Sequence, residues 1–470
     1  MKLKNLFIGA LMTVIAAPAM AQAPAIDEVQ KQAAELIKAG NADGLKDLEK
    51  ENKKNPTALV SIAKAYLAAQ DIAKAEATAQ KAYTFISENP KKATAQDNCL
   101  TYITLGNIAS AKNDAGNAVT WYQQAMYADP QNPDGYRLYA TATSKSDPNG
   151  AIAAIEELRK NRPDYPVDLI AADIANGAGK PQEAIKYYSK VKLSDMQPYQ
   201  IGAFATNLYL TQNVNKAVEV AEYGLTVAPR SASLNRLAFW GNTDLKQWDK
   251  ALKYADKLFY ESDSVKISSD DYGRKINALR GAELYDEALA ELNKLANDPM
   301  MPKADQLFAL KQIAQTYSDK EDYEKAIPAY EKYLVAAGEK ASATDIAAFG
   351  QQYMYFAQQQ PAKKAEMLMM ADEVFSKLAQ NPDAKEYAIY KRAQVANAMD
   401  GGKGLAKPYY DQLIATPNCN PARLKEAYLY NISYFGNVKN DINAAMPYAE
   451  KLAEIDPENT VAKQVLSLKE

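Results

Sequence analysis

Along "ITLGNIASAKNDAGNAVTWYQQAMYADP" (103–130) a helix-like pattern of apolar and polar positions carries small residues at fixed places among bulky ones. Gly106, Ala118 and Ala125 are the small positions, Tyr122 is the large one between them, and Asp129-Pro130 closes the stretch. The same order returns downstream. Ala205, Ala217, Ala221, Gly224 and Pro229 repeat it, as do Ala314, Ala326, Tyr330 and Tyr333, and then Ser433, Ala445, Ala449, Leu452 and Pro457. One position of the pattern can be followed along the chain as Gly44, Ala75, Ala118, Ala151, Ala184, Ala217, Ala251, Ala288, Ala326, Ala371, Ala406 and Ala445. Its steps fall mostly in the thirties, the range of helical repeats that stack into an array.

This pattern predicts pairs of antiparallel helices. A small side chain lets the two helices approach, a large one fills the space beside them, and the proline ends the second helix. In these residues the chain resembles the tetratricopeptide repeat, a helix–turn–helix unit of about 34 residues. The resemblance runs from about Ile26 to Pro457 and is weakest around Gly44 and Ala371. It implies an all-α fold, a right-handed superhelical solenoid of about twelve repeats closed by a C-terminal capping helix. The expected division is 1–21 as a signal peptide, 22–260 as N-terminal repeats, 261–457 as C-terminal repeats and 458–470 as the cap. "ESDSVKISSDD" (261–271) is the most polar segment between repeats, and a bend is expected there. "ENPKKATAQDN" (88–98) reads as an extended linker, and "MYFAQQQPAKKAEMLMM" (354–370) as an elongated repeat.

The N-terminus follows a different pattern. Lys2 and Lys4 precede a short apolar run, Leu6 to Ala17, and Ala19-Met20-Ala21 offers a small-x-small cleavage site. The expectation is an exported, periplasmic protein cleaved after Ala21, with no cysteine after the cut to carry a lipid. No later segment is long and apolar enough to span a bilayer. Loss of Lys2 and Lys4 takes the formal charge from −3 to −5, and no basic cluster stands out as a nucleic-acid footprint.

The chain has no histidine, which excludes His-based acid–base chemistry, Ser-His and Cys-His nucleophile pairs, and most zinc sites. Cys99 and Cys419 are far apart in sequence and are expected to be free, structural thiols. "DGGKG" (400–404) lacks the spacing and the Ser or Thr of a phosphate loop and reads as an interhelical turn. The methionines of "EMLMMADE" (366–373) read as helix packing. No catalytic cluster, metal site or cofactor is expected.

The resemblance also implies a concave face lined by the first helix of each repeat. Its inward positions toward the C-terminus are Lys311, Gln315 and Ser318, then Gln351 and Tyr355, then Tyr390, Gln394 and Asn397, then Tyr430, Tyr434 and Asn437. The N-terminal counterparts are Val60, Lys64 and Leu67, then Ile103, Asn107 and Ser110. The C-terminal set is richer in Tyr, Gln and Asn, which combine flat apolar area with hydrogen bonding. Lys311, Gln315, Gln351, Tyr355, Tyr390, Gln394, Asn397, Tyr430, Tyr434 and Asn437 are therefore the candidate groove. The expected function is a non-enzymatic scaffold of the bacterial cell envelope that holds a peptide or helix of a protein partner. The alternative is a glycan-binding envelope protein. The Lys and Asn pattern of the carboxylate clamp found in some members is not present in recognisable form.

Overall fold

The computed structural model describes residues 27–469, so the leader and its cleavage point lie outside the described residues. Within them every regular element is helical and no strand occurs. The helices pair as α1 (Glu28–Lys38) with α2 (Ala42–Glu51), α3 (Pro56–Ala68) with α4 (Ile72–Glu88), and α5 (Ala95–Ala111) with α6 (Ala115–Ala128). Next come α7 (Pro133–Thr143) with α8 (Pro148–Asn161), α9 (Val167–Gly177) with α10 (Pro181–Tyr188), α11 (Pro198–Leu210) with α12 (Val214–Val227), and α13 (Ala232–Asp244) with α14 (Trp248–Asp256). The remaining pairs are α15 (Ser269–Gly281) with α16 (Tyr285–Asn297), α17 (Lys303–Asp319) with α18 (Tyr323–Ala337), α19 (Ala343–Gln359) with α20 (Lys364–Leu378), α21 (Lys385–Asp400) with α22 (Lys407–Ile414), and α23 (Pro421–Ser433) with α24 (Ile442–Ile455). A final helix, α25 (Thr460–Leu466), caps the series by adding Ala462 and Val465 to the core around Ala449 and Leu452. The chain forms two compact units, one up to Ile267 and one from Ser268.

One turn explains the periodic alanine. In nine pairs the last residue before the second helix's N-cap has a positive φ: Gly40, Gln70, Asn113, Gly179, Gln212, Lys246, Glu283, Glu321 and Asn440. The N-cap N–H then bonds back to the carbonyl five residues earlier, as in Asp71 to Tyr66, Asp114 to Ala109, Asn213 to Leu208 and Asp322 to Tyr317, at 2.9–3.0 Å. This is the Schellman closure of the first helix, with its last residue serving as the N-cap of the second. Such a turn fixes the rotation of the second helix, so its fourth residue always faces the first. Ala75, Ala118, Ala184, Ala217, Ala251, Ala288 and Ala326 occupy that place, each at most 2% exposed.

The register corrects the expectation at both ends of the chain. Counted from Gly40, the fourth residue of α2 is Leu45, which is buried, while Gly44 stands one place early and is half exposed. Ser433 does not take the small packing place either. It is exposed, and Ile432 is buried in its stead. The cause is a π-helical turn over Tyr434–Val438 that adds one residue. The N–H of Asp441 accordingly bonds to Phe435, six residues back rather than five. The linker expected at 88–98 is also shorter, because α4 runs to Glu88 and α5 starts at Ala95.

Glycine serves close approach at two equivalent places. A Cβ on Gly106 would lie 2.4 Å from the Tyr122 ring, and one on Gly350 would lie 2.8 Å from the Phe375 ring. Each unit has its own apolar core: Leu45, Leu48, Ile62, Tyr66, Leu105 and Ile108 belong to one in the first. Tyr353, Met354, Met367, Leu368, Phe375 and Val395 belong to one in the second, which is where Met367 of the methionine-rich segment packs. Cys99 and Cys419 are free and buried, and burial pushes their thiols up to about 12 and about 11.

Candidate functional site

The second-helix tyrosine has a polar partner as well as an apolar slot. Its hydroxyl reaches the residue fifteen places earlier on the first helix: Tyr122 to Asn107 Oδ1 at 2.9 Å, Tyr188 to Asp173 Oδ1 at 2.6 Å, and Tyr330 to Gln315 Oε1 at 3.0 Å. Gln315 also donates to Asp319 at 2.8 Å, so both ends of its amide are engaged within the repeat. Lys311 bonds to the next pair through Asp345 Oδ1 at 2.6 Å. Asp345 is the third residue of α19 and completes a capping box with Ser342, while Tyr333 donates to it at 3.0 Å. Burial pushes its carboxyl up, but Lys311, Ser342 and Tyr333 together outweigh burial and bring it down to about 2. Lys311 therefore ties one repeat to the next, and Gln315 ties the two helices of its own repeat.

A second group forms where α21, α22 and α23 meet. Tyr390 donates to Glu426 Oε2 at 2.7 Å, and Tyr410 donates to Glu426 Oε1 at 2.8 Å, so each oxygen of one carboxylate accepts from a phenol. Gln394 Nε2 donates to the Tyr390 oxygen at 2.7 Å, and Lys391 donates to Gln394 Oε1 at 3.1 Å. Arg423 pairs with Glu386 at 2.7 Å. Its guanidinium lies 5.2 Å from the Tyr387 ring centre and 5.5 Å from that of Tyr390, and the Lys391 ammonium lies 5.7 and 5.8 Å from the same two rings. Tyr355 is among the more exposed aromatic residues, with its ring 5.5 Å from Tyr323. Its hydroxyl also adds to the upward push that burial gives Tyr387.

Tyr430 and Tyr434 stack at 6.3 Å with 8° between their rings, and Tyr430 packs 4.7 Å from Tyr410. Tyr430 is buried, so much of this pair is core. Asn437 is exposed within the π-helical turn and donates to Ser433 at 3.2 Å. Gln351 is half-buried on α19, and Asn397 is half-buried in the last turn of α21. The neighbouring "DGGKG" segment is an interhelical turn whose amides are already taken: Gly402 and Leu405 N–H bond to the Asp400 carboxylate at 2.9 and 2.7 Å. Among the described residues no cluster of three acidic or cysteine side chains is arranged for a metal, and no helix is long and apolar enough to cross a membrane.

Two segments of this chain, 101–132 and 310–334, match the family model described as the tetratricopeptide repeat. In these two segments the chain is similar to the tetratricopeptide repeat. Both matched repeats hold the tyrosine–amide pair, Tyr122 with Asn107 and Tyr330 with Gln315. Among solved structures the chain is similar to the C-terminal part of a TPR repeat-containing protein from Cytophaga hutchinsonii, 21% identical with a TM-score of 0.46 over 56% of this chain and 99% of that one. A tetratricopeptide repeat protein from Parabacteroides merdae is 12% identical with a TM-score of 0.34, over 56% and 98%. Pseudomonas aeruginosa pilF is 18% identical with a TM-score of 0.33, over 44% and 93%. No curated protein matches the sequence.

Of the ten candidate residues in these repeats, the structure brings Tyr390 and Gln394 into one cluster and Tyr430 and Tyr434 into another. Lys311 and Gln315 go to separate bonds nearer α19. Lys391, Arg423, Tyr387, Glu386 and Glu426 belong to the first cluster and were not picked out by repeat position. A signal for them exists in the sequence: between 385 and 440 there are eight Lys or Arg against four Asp or Glu, in a chain whose formal charge is −3.

Proposed function

We propose that the protein is a non-enzymatic scaffold that holds a peptide or helix of a partner protein on the first-helix face of its second unit. The observation that carries this reading is the partly covered cluster of Tyr355, Tyr387, Tyr390, Lys391 and Arg423. Aromatic rings with cations over them give a surface with large contact area and hydrogen-bonding tips, the residue types favoured where proteins meet. The helical repeats supply a mount for it, since each pair packs against its neighbours. We place the protein in the bacterial cell envelope on the strength of the leader-like pattern at Lys2 to Ala21.

The test is crosslinking of the native protein in cells, followed by mass spectrometry. A reproducible protein partner with crosslinks between Lys311 and Asn437 is the expected result. Recovery of the protein alone at every crosslinker length defeats the reading. Cleavage after Ala21 is checked separately by N-terminal sequencing of the mature chain, which is expected to begin at Gln22.

A further inference from the structure

We propose that the face built from Tyr355, Tyr387, Tyr390, Lys391 and Arg423 takes a partner segment rich in aspartate and glutamate, with a carboxylate seated between the Lys391 ammonium and the Arg423 guanidinium. This rests on the scaffold reading and names the chemistry of its partner.

Three observations converge. First, Lys391 is a half-buried cation whose hydrogen-bond partner is the neutral oxygen of Gln394, and no carboxylate lies within ion-pair distance of it among the described residues. Second, the carboxylates of the neighbourhood are committed. Glu426 accepts from Tyr390 and Tyr410, Glu386 accepts from Arg423 and the Asn420 N–H, and Asp372 holds Arg392 through two bonds of 2.8 Å. Third, Lys391 and Arg423 lie over the same two tyrosine rings, so two cations share one place within a stretch, 385–440, that holds eight Lys or Arg against four Asp or Glu.

The energetic consequence favours an incoming anion. Burial lowers the Lys391 pKa, Glu426 counteracts this from a distance, and Arg423 lowers it further. A carboxylate placed between the two cations relieves their repulsion and replaces the hydration that Lys391 has lost. Arg423 bonds Glu386 through Nη1, and its guanidinium has further N–H donors for a second carboxylate. The aromatic surface continues to Tyr355 and Tyr323, farther than a small anion reaches, and an extended peptide would lie across it.

The experiment uses the full mature chain and fluorescent twelve-residue peptides that share an apolar core and carry zero, two or four glutamates. A glutamine-for-glutamate peptide and an acidic polysaccharide, polygalacturonate, are run beside them. The expected result is binding that tightens with glutamate number and weakens with salt. Lys391→Gln and Arg423→Gln each weaken the four-glutamate peptide roughly tenfold or more, while Lys391→Arg retains it. Lys364→Gln, exposed on α20, leaves it unchanged. Thermal melts of each variant establish that it is folded, and Lys391→Gln carries the decision where Arg423→Gln is not.

Equal binding of the glutamate and glutamine peptides overturns the inference. So does unaltered binding by Lys391→Gln, or binding of polygalacturonate in place of every peptide. Absence of peptide binding overturns it too, and the in-cell crosslinks then tell which idea has failed. If a protein partner persists, only the acidic chemistry falls. If no partner appears, the scaffold reading falls with it.

Discussion

Two aspartates show how neighbours decide what a charge does for this fold. Asp345 accepts bonds from Lys311, Ser342 and Tyr333 and is held down to about 2 from the ordinary 3.8. A depressed carboxyl stabilises the fold above its unfolded value, and that contribution is lost as pH falls from 3.8 through 2. Among the described residues Asp173 has no cation beside it; it accepts from Tyr188, Tyr199 and Gln200, and burial raises its pKa. A raised carboxyl does the reverse: its contribution is present below 3.8 and declines as pH rises through the folded value. Melting temperatures measured against pH are therefore expected to separate the two variants. Asp345→Asn loses stability at neutral pH, by about 1–3 kcal/mol, and the gap from the parent narrows below pH 4. Asp173→Asn gains relative to the parent as pH rises above 4. Parallel curves for parent and both variants would contradict the assignment. The tyrosine pairs belong to the same scale. Tyr330→Phe removes the bond to Gln315 and is expected to cost about 0.5–1.5 kcal/mol in denaturant unfolding.

At the scale of an element, the turn between paired helices stores a small strain. Lys246 and Glu283 sit at φ 57° and 60°, where an L side chain costs about 1–2 kcal/mol relative to its normal region. Lys246→Gly and Glu283→Gly are expected to raise stability by about 0.5–1 kcal/mol each, after the extra chain entropy of glycine is taken off. Gly106→Ala should do the opposite. The gain in helix propensity is about 1 kcal/mol, but a methyl 2.4 Å from the Tyr122 ring forces the helices apart. A net loss of roughly 1–2 kcal/mol is expected, and it should largely vanish when Tyr122→Ala is made in the same chain. Much of this level is readable from sequence, because the periodic alanines and the tyrosines beside them are tied to local turn geometry. The places where the alignment slips, Gly44 and Ser433, are those where the turn or an inserted residue sets the register.

For the whole molecule, stability is expected to be local, because each repeat is stabilised by its neighbours. Cys99 lies in the first unit and Cys419 in the second, both buried, so each thiol reports on its own unit when it becomes reactive. Leu413 packs with Cys419, Tyr410 and Ala406. Leu413→Ala is expected to cost about 2–5 kcal/mol there and to lower the denaturant midpoint at which Cys419 is labelled. The midpoint for Cys99 should stay in place. If both thiols shift together, the chain unfolds as one cooperative body.

By itself the sequence determined the helical pairs, the identity of their packing residues and the absence of histidine chemistry. These follow from short-range rules: a small residue where helices cross, a capping residue where a helix starts, a proline where it stops. Only the tertiary structure decided which polar residues bond within one helix pair and which reach the next. Gln315 and Tyr390 are both expected on the inward face, yet Gln315 is bonded at both ends to its own repeat, while Tyr390 donates to Glu426 of the next pair and has two cations over its ring. That distinction depends on which residue the next helix pair brings within three ångströms, and the repeat pattern carries no information about it.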